Sequence, residues 1–198
     1  RKLSRMRFIE NGMISCELRN HKQEYVETHL HDFFEIEYVI SGSGTCFIDG
    51  KKYDILPGMI FFMSPVNTHK VFIDTATYVN ISFSENVCTP GLLSQLTISD
   101  SAIALCLQES DRKLLHSLSL ELAGNLNDNT YSGMLLDCIL TKLVKHIAPN
   151  KSAKALSTSK KAILYIINNF RKGVTLENTA AYVGLTPAYF SGLFKKET

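Results

Sequence analysis

The sequence of 198 residues lacks the features that mark several large classes of protein. No apolar run approaches the roughly 20 residues that a membrane-spanning helix needs. The basic stretch at residues 1–12 has no apolar signal core. The five cysteines are odd in number and never form a C-x-x-C pair, so we expect reduced, buried thiols in a cytoplasmic protein with no membrane partner. They are Cys16, Cys46, Cys88, Cys106 and Cys138.

Motifs of catalysis and of nucleotide binding are also missing. There is no G-x-S-x-G nucleophile motif. The glycines of "SGSG", residues 41–44, predict a hairpin turn between strands and not the strand-to-helix loop that cradles a phosphate. The sequence therefore predicts a protein that is not an enzyme and needs no cofactor.

Charge is distributed unevenly along the chain. Residues 1–150 contain 13 Lys and Arg against 17 Asp and Glu, a balance of −4, whereas residues 151–198 contain 8 against 2, a balance of +6. An acidic body with a basic C-terminal part suggests that this part meets a polyanion such as DNA. A basic helical segment that arises by chance is the alternative on charge alone.

Up to about residue 84 the pattern predicts short strands. Asp49-Gly50 between apolar runs is a strong hairpin signal. In "TYVNISFS", residues 77–84, polar and apolar side chains alternate strictly, as in a strand. Several strands with regular turns favour a sandwich or a barrel.

After residue 90 the apolar period becomes helical. A helix at 131–147 has one apolar stripe and a second one that includes Leu135 and Ile139. An isolated surface helix needs only one stripe, so we expect Leu135 and Ile139 to contact a partner subunit in a homodimer. A broader internal core is the alternative. Residues 149–159 have no periodicity and are predicted to be a linker.

The segment from residue 160 predicts three helices, of which the last two are short and joined at Gly184. Thr186 is the expected cap of the last helix, and Pro187 occupies its first position. Two short helices with a glycine turn indicate a helix-turn-helix, whose second helix enters the major groove of DNA. A plain helical hairpin is the alternative. The residues expected to contact DNA are Thr186, Ala188, Tyr189, Ser191, Gly192, Lys195 and Lys196.

Two segments of the chain together resemble a known family. "VTLENTAAYVGLTPAYFSGLFKKET" is similar to the first helix-turn-helix of the AraC-type transcriptional regulators. "HLHDFFEIEYVISGSGTCFIDGKKYDILPGMIFFMSPVNTHKV" resembles the cupin-like barrel that precedes it in that family. The resemblance implies an α+β protein: a cupin-like β-barrel with a helical hairpin, followed by a small all-α segment. The expected organisation is a ligand-binding and dimerisation domain at 1–148 (barrel about 6–84, helices about 90–148), the linker at 149–159 and the DNA-binding segment at 160–198.

The same resemblance implies a small-molecule effector in the barrel and double-stranded DNA as partner. Family members carry two helix-turn-helix units, so the DNA-binding segment is expected to be incomplete. The effector is expected to contact His29, His31, Glu35, His69, Tyr78 and Asn80.

The histidines admit a second function. Metal-binding cupins use a pattern like H-x-H with a glutamate four residues on and a later histidine, and His29, His31, Glu35 and His69 match it. Such a set suits a divalent transition metal. The second cupin motif is loose, however, and the resemblance to regulators implies an organic effector, so we expect no metal. A metal-dependent cupin enzyme is the alternative function.

Overall fold

The computed structural model describes residues 4–7, 13–97, 102–147 and 156–197. Seven strands and six α-helices lie in these ranges. The strands are β1 (Ser4–Arg7), β2 (Ile14–His31), β3 (Phe34–Ile48), β4 (Lys51–Ile55), β5 (Met59–Met63), β6 (His69–Phe83) and β7 (Ile103–Cys106). The helices are α1 (Pro90–Leu96), α2 (Glu109–Gly124), α3 (Asn129–His146), α4 (Thr158–Asn169), α5 (Leu176–Tyr182) and α6 (Pro187–Glu197). Within the described ranges, a helix with the length and apolarity for crossing a membrane was not found.

The strands form a single sheet in the order β1-β2-β6-β3-β5-β7, with β4 paired to β3. Every pairing is antiparallel except that of β1 with β2. The long strands β2, β3 and β6 form the centre of this sheet, and β6 lies between the other two. The predicted mixture of an antiparallel sheet and helices is confirmed.

The sheet is rolled over on itself. Glu35 pairs with Ser82 in the β3–β6 ladder, thirteen positions along β6 from His69. A straight strand of that length spans about 43 Å, yet Glu35 Oε2 lies 3.4 Å from His69 Nε2. The strands must therefore bend until the two halves of the sheet face each other.

The bend occurs where the sequence predicted a turn. Residues 41–44 lie inside the continuous strand β3, so the expected hairpin turn at "SGSG" is wrong. The β3–β6 register shifts on both sides of Gly42, which has φ +103°. A Cβ on Gly42 would lie 2.0 Å from the Thr75 carbonyl oxygen, so only glycine permits the close approach of β3 to β6. The hairpin at Asp49-Gly50, between β3 and β4, is confirmed, and both residues have positive φ.

Each face of the rolled sheet packs in its own core. The inner core lies between the two halves and contains Val39, Cys46, Ile48, Ile55, Phe61, Met63, Val71, Ile73, Ala76 and Tyr78. The outer core joins the opposite face, with Ile36, Val79, Ile81 and Phe83 among its members, to α1, α2 and α3. Because both faces of β3 and β6 are covered here, polar side chains such as Glu35, Asn80 and Ser82 are buried as well as apolar ones.

Two expectations for the region after residue 90 need correction. Residues Ile103–Cys106 form strand β7 and pair with β5, so the segment is not wholly helical. Leu135 and Ile139 are 7% and 1% exposed and belong to the outer core. The broader internal core thus explains the second apolar stripe of α3, and these two side chains are not available to a partner subunit.

The C-terminal helices have a small core of their own, built on Ala162, Ala180 and Phe190. Most of the predicted linker, 149–159, lies outside the described residues. Its last two residues, Thr158 and Ser159, are already helical because Ser157 caps α4 by accepting a hydrogen bond from the Lys160 amide.

The expected burial of the cysteines holds for Cys16, Cys46 and Cys88, whereas Cys106 and Cys138 are exposed. All five thiols are free, as expected. Burial raises the pKa of Cys16 and of Cys88 to about 12, so these two thiols stay protonated at neutral pH.

The requirement for glycine at position 42 can be tested by substitution. An alanine there would combine a positive φ with a clash against Thr75, so Gly42→Ala should lower the free energy of unfolding by roughly 2–4 kcal/mol. The matched control is Gly91→Ala in α1, where a Cβ meets nothing within 4 Å and a gain of up to about 1 kcal/mol is expected. Urea denaturation measures both, and equal stabilities would contradict this account of the bend.

Candidate functional site

Three polar side chains meet where the two halves of the rolled sheet come together. His31 ends β2, Glu35 is the second residue of β3 and His69 begins β6. Glu35 Oε2 lies 3.0 Å from His31 Nε2 and 3.4 Å from His69 Nε2. All three residues are buried, with exposures of 0%, 5% and 2% in chain order. We call them the His–Glu cluster.

The surrounding residues hold the cluster in place. His31 Nδ1 lies 2.7 Å from the Phe33 carbonyl oxygen, and the Phe33 ring stacks on the His31 ring with centroids 4.2 Å apart. Asn80 Nδ2 donates to Glu35 Oε1 over 2.7 Å, and Ser82 Oγ donates to Asn80 Oδ1 over 3.2 Å. The orientations of His31 and Glu35 are thereby fixed by partners outside the cluster.

His29 lies beside the cluster without joining it. Its ring centroid is 4.0 Å from that of His69 and 6.2 Å from that of His31. Its Nδ1 lies 2.9 Å from the Glu27 carbonyl oxygen. The ligand-type atoms that lie within 4.8 Å of one another belong to His31, Glu35 and His69 only, among the residues that the structure describes.

The electrostatics of the cluster favour an ionised carboxylate. Burial alone would raise the pKa of Glu35, but the hydrogen bond with His31 and the charges of His31 and His69 outweigh it. The pKa of Glu35 therefore lies well below its usual range. The cluster presents a buried negative charge to two imidazoles.

A small cavity lies within the inner core, on the same strands as the cluster. Its lining is apolar except for Glu37 and Tyr78, and the full set is Glu37, Val39, Ile55, Phe61, Val71, Ile73, Ala76 and Tyr78. The free space is about 10 Å³, enough for one water molecule. Burial, and then the charge of Glu37, raise the pKa of Tyr78 to about 12, so the phenol remains a neutral hydrogen-bond donor.

Polar side chains on two strands connect the lining of the cavity to the cluster. Glu37 and Glu35 are two apart on β3, and Tyr78 and Asn80 are two apart on β6, so each pair shares the inner face. Arg19 pairs with Tyr78 across the β2–β6 ladder, and its guanidinium interacts with the Tyr78 hydroxyl. The polar residues thus form one row from Arg19 and Tyr78 to His69.

The structure brings the predicted effector residues into one region. His31, Glu35, His69 and Asn80 are joined by hydrogen bonds or ion pairs, His29 packs beside them and Tyr78 lines the cavity. Tyr78 and Asn80 are 9% and 1% exposed, so neither points into bulk solvent.

Sequence reasoning missed two residues of this region. Glu37 shares the parity of Glu35, and this signal was sufficient to place it on the same face. Arg19 lies in an alternating strand without a distinctive motif, so its position next to Tyr78 required the register of β2 against β6.

The residues predicted to contact DNA lie on a different surface. On α6 only Phe190 is buried, against Ala180 of α5. All seven predicted residues are exposed: Thr186, Ala188, Tyr189, Ser191, Gly192, Lys195 and Lys196.

Comparison with known proteins identifies the rolled sheet and its helices. Residues 11–144 match the model of the AraC-like ligand binding domain family. This match covers more than half of the chain, so the chain belongs to that family, and the resemblance seen in the sequence is confirmed for this part.

Individual relatives agree with this assignment. The lactose operon transcription activator of Staphylococcus xylosus is 26% identical over 172 residues, which are 81% of this chain and 61% of the relative. The chain thus spans about three fifths of the length of this curated relative. The crystal structure of the AraC-like transcriptional activator CuxR is similar in fold, with TM-score 0.51, 18% identity, and coverage of 83% of this chain and 61% of that chain. ToxT from Vibrio cholerae O395 gives TM-score 0.55 at 10% identity, covering 94% of this chain and 74% of ToxT.

Proposed function

We propose that this chain is the sensing part, with the first DNA-binding helices, of a ligand-responsive transcriptional regulator. The observation that carries the proposal is the presence, in one chain, of an AraC-like ligand binding domain and of a capped pair of short helices after it. The metal-dependent enzyme that the sequence left as an alternative does not account for the second part.

The local geometry of α5 and α6 supports a helix-turn-helix. Thr175 caps α5 by accepting from the Asn178 amide, and Gly184 follows the helix with φ +73°. The Leu185 amide donates to the Ala180 carbonyl and the Gly184 amide to the Ala181 carbonyl, which is the Schellman arrangement that ends a helix sharply. Helix α6 then starts at Pro187 after Thr186. A tight turn of this kind projects the second helix outward, as insertion into the major groove requires.

Charge and exposure support DNA as the ligand of α6. Lys195 and Lys196 lie in its last turn and are exposed, as is Tyr189 at 63%. Lysines at this position would contact phosphates, and the small or hydroxyl side chains of the same face would approach the bases.

The inner face of the sheet is the proposed effector site. It would use Tyr78 and Asn80 together with the neighbouring His29, His31, Glu35 and His69, and we add Glu37 because it lines the cavity. Because the free space is only about 10 Å³, an effector larger than water must displace side chains of the inner core. The relative that activates the lactose operon supports a sugar as the class of effector.

A chain of contacts joins this site to the C-terminal helices. The Asp49 carboxylate accepts from Asn67 Nδ2 and from the Thr68 amide, directly before His69. Asp49 Oδ2 also lies 3.7 Å from Lys160 Nζ of α4. An effector that moves His69 would change the position of Asp49 and hence the hold on α4. This coupling requires the effector to bind the two arrangements with different affinities.

A homodimer is part of the proposal, through the exposed side of the α2–α3 pair. Leu114 of α2 and Tyr131 and Met134 of α3 are 41%, 38% and 61% exposed. Exposed large apolar side chains on adjacent helices favour an interface over a fully solvated surface.

The DNA assignment predicts a loss of ionic contacts. In the intact regulator, changing Lys195 and Lys196 to alanine should weaken DNA binding and lower the salt slope by about one unit for each lysine, because each phosphate contact releases counterions. The matched control changes Lys51 and Lys52, an adjacent exposed pair on β4, to alanine. Fluorescence anisotropy at several salt concentrations measures the slope, and a slope unchanged in the α6 variant would show that this helix does not contact DNA.

The effector assignment predicts stabilisation by a sugar. Lactose or galactose should raise the melting temperature of the chain, because a ligand of the folded state at one hundred times its Kd adds about 2.7 kcal/mol of stability. Tyr78→Phe, which retains the ring, should reduce this shift, whereas Tyr25→Phe on the exposed outer surface should not. Equal shifts in wild type and Tyr78→Phe would exclude Tyr78 from the site, and no shift with either sugar would reject this effector class.

The dimer assignment predicts a change in mass. Met134→Glu places a charge in the proposed interface and should shift the chain from dimer to monomer in sedimentation velocity without unfolding it. Leu56→Glu introduces the same charge at a side chain that is 51% exposed elsewhere and should leave the dimer intact. A monomeric wild-type chain at high concentration would count decisively against the dimer.

A further inference from the structure

We propose that the rolled sheet opens and closes as two halves that hinge on a crease formed by Gln23 of β2, Asp74 of β6 and Ser43 of β3. We call the part of the sheet that contains Glu35 the Glu35 half and the part that contains His69 the His69 half. Opening would separate the halves and give an effector access to the inner core. This use of the motion rests on the proposed function, whereas the motion itself does not.

The inner face changes parity at the crease. Val39 and Cys46 of β3 both pack in the inner core, although an odd number of positions separates them. Ile73 and Ala76 of β6 do the same. Residues of a regular strand share a face only at even separations, so each strand departs from regular pairing between these positions. Such an irregularity is a β-bulge, which bends a strand locally, and the bend is therefore concentrated on a short line across the sheet.

The ladders are interrupted on the same line. In both the β2–β6 and the β3–β6 ladders the pairing passes from Thr75 to Ile73, so the registers of these described strands leave out Asp74 on both sides. Gln23 of β2 has φ +50°, which a residue with a side chain adopts at a cost. Hinges consist of a few residues that absorb a change in backbone angles, and this line combines irregular backbone with missing ladder pairs.

Exposed side chains replace the missing ladder bonds. Ser43 Oγ donates to Asp74 Oδ2 over 3.1 Å, and Gln23 Nε2 donates to the Asp74 carbonyl oxygen over 3.5 Å. All three residues are exposed. Water can take over hydrogen bonds between exposed groups, so each contributes modestly to stability. These bonds can therefore break while the ladders of the two halves stay intact.

The two halves also meet at the end of the sheet that is far from the crease. There Glu35 Oε2 lies 3.0 Å from His31 Nε2 and 3.4 Å from His69 Nε2, both in the His69 half. The cavity lies between the halves, with Tyr78 of the Glu35 half and Val71 of the His69 half in its lining. An effector that takes over the polar contacts of Glu35 would remove the contact that closes this end, and its binding would then favour the open form.

Cys46 is a native reporter of the motion. It is 0% exposed in the inner core, whereas Cys16 and Cys88 are buried in the outer core. Burial raises the pKa of Cys46 well above its usual range, so its thiol is unreactive while the sheet is closed. The ligand-free chain is labelled with N-ethylmaleimide, and peptide mass spectrometry measures the rate at each cysteine. Cys46 should react about tenfold faster or more than Cys16 and Cys88, because local opening costs less free energy than global unfolding.

Variants of the crease test where the sheet opens. Asp74→Ala and Ser43→Ala each remove the hydrogen bond between these side chains and should raise the Cys46 rate by about three- to tenfold. The double variant should raise the rate no further, because both changes remove the same bond. The matched control is Thr77→Ala, which removes an exposed hydrogen bond to Asn20 within the Glu35 half and should leave the Cys46 rate unchanged.

Circular dichroism verifies that each variant is folded, and the comparison of cysteines in the wild type decides the question if one is not. A wild-type Cys46 rate no higher than the rates of Cys16 and Cys88 would overturn the proposal. Equal Cys46 rates in the wild type and both crease variants would overturn it as well. Neither result would affect the proposed regulation of transcription, which the DNA and sugar experiments test separately.

Discussion

The contact of Glu35 with His31 and His69 is the constraint on which the rest of the structure depends. These residues belong to three strands, and the ladder separates Glu35 from His69 by thirteen positions along β6. Glu35 Oε2 nevertheless lies 3.0 Å from His31 Nε2 and 3.4 Å from His69 Nε2, which is possible only because the sheet is rolled. A buried carboxylate is costly without partners, so an open sheet that exposed His69 to solvent would leave Glu35 without one of its two imidazoles. The cluster thus favours the closed form of the sheet.

Rolling has a consequence for the use of both strand faces. In an open antiparallel sheet, alternation of polar and apolar residues usually means one solvated face. Here Val79, Ile81 and Phe83 pack against the helices while Tyr78 and Asn80 point into the rolled sheet. The polar members of the alternation are therefore buried in the interior, where few polar groups in an apolar surrounding make a specific binding surface. On a flat sheet, the same residues would face solvent.

Local signals in the sequence were sufficient for the elements that depend on local chemistry. Asp49-Gly50 predicted the hairpin, and Gly184, Thr186 and Pro187 predicted where α5 ends and α6 begins, because turns and caps involve neighbours in the chain. The bend at Gly42 was not predictable, since the reason for the glycine is the approach of Thr75, which lies on another strand. The prediction that Leu135 and Ile139 contact a partner subunit was wrong for a similar reason. An apolar stripe shows that a helix face is covered, but it does not show which element covers it. For the candidate site, parity grouped Glu35 with its neighbours, while the distance from Glu35 to His69 required the rolled sheet.

The cavity, the cluster and the contact with α4 are connected through β3 and β6. Within the cluster, His31 contacts the Phe33 carbonyl and Glu35 accepts from Asn80. The cavity is lined by Glu37, two positions after Glu35 on β3, and it has mostly apolar walls and room for about one water molecule. A larger occupant must therefore displace side chains of the inner core. His69 begins β6, and the Thr68 amide directly before it donates to Asp49, which lies 3.7 Å from Lys160 Nζ of α4. A displacement of the inner core that reaches His69 would therefore act on Asp49 and on its contact with α4.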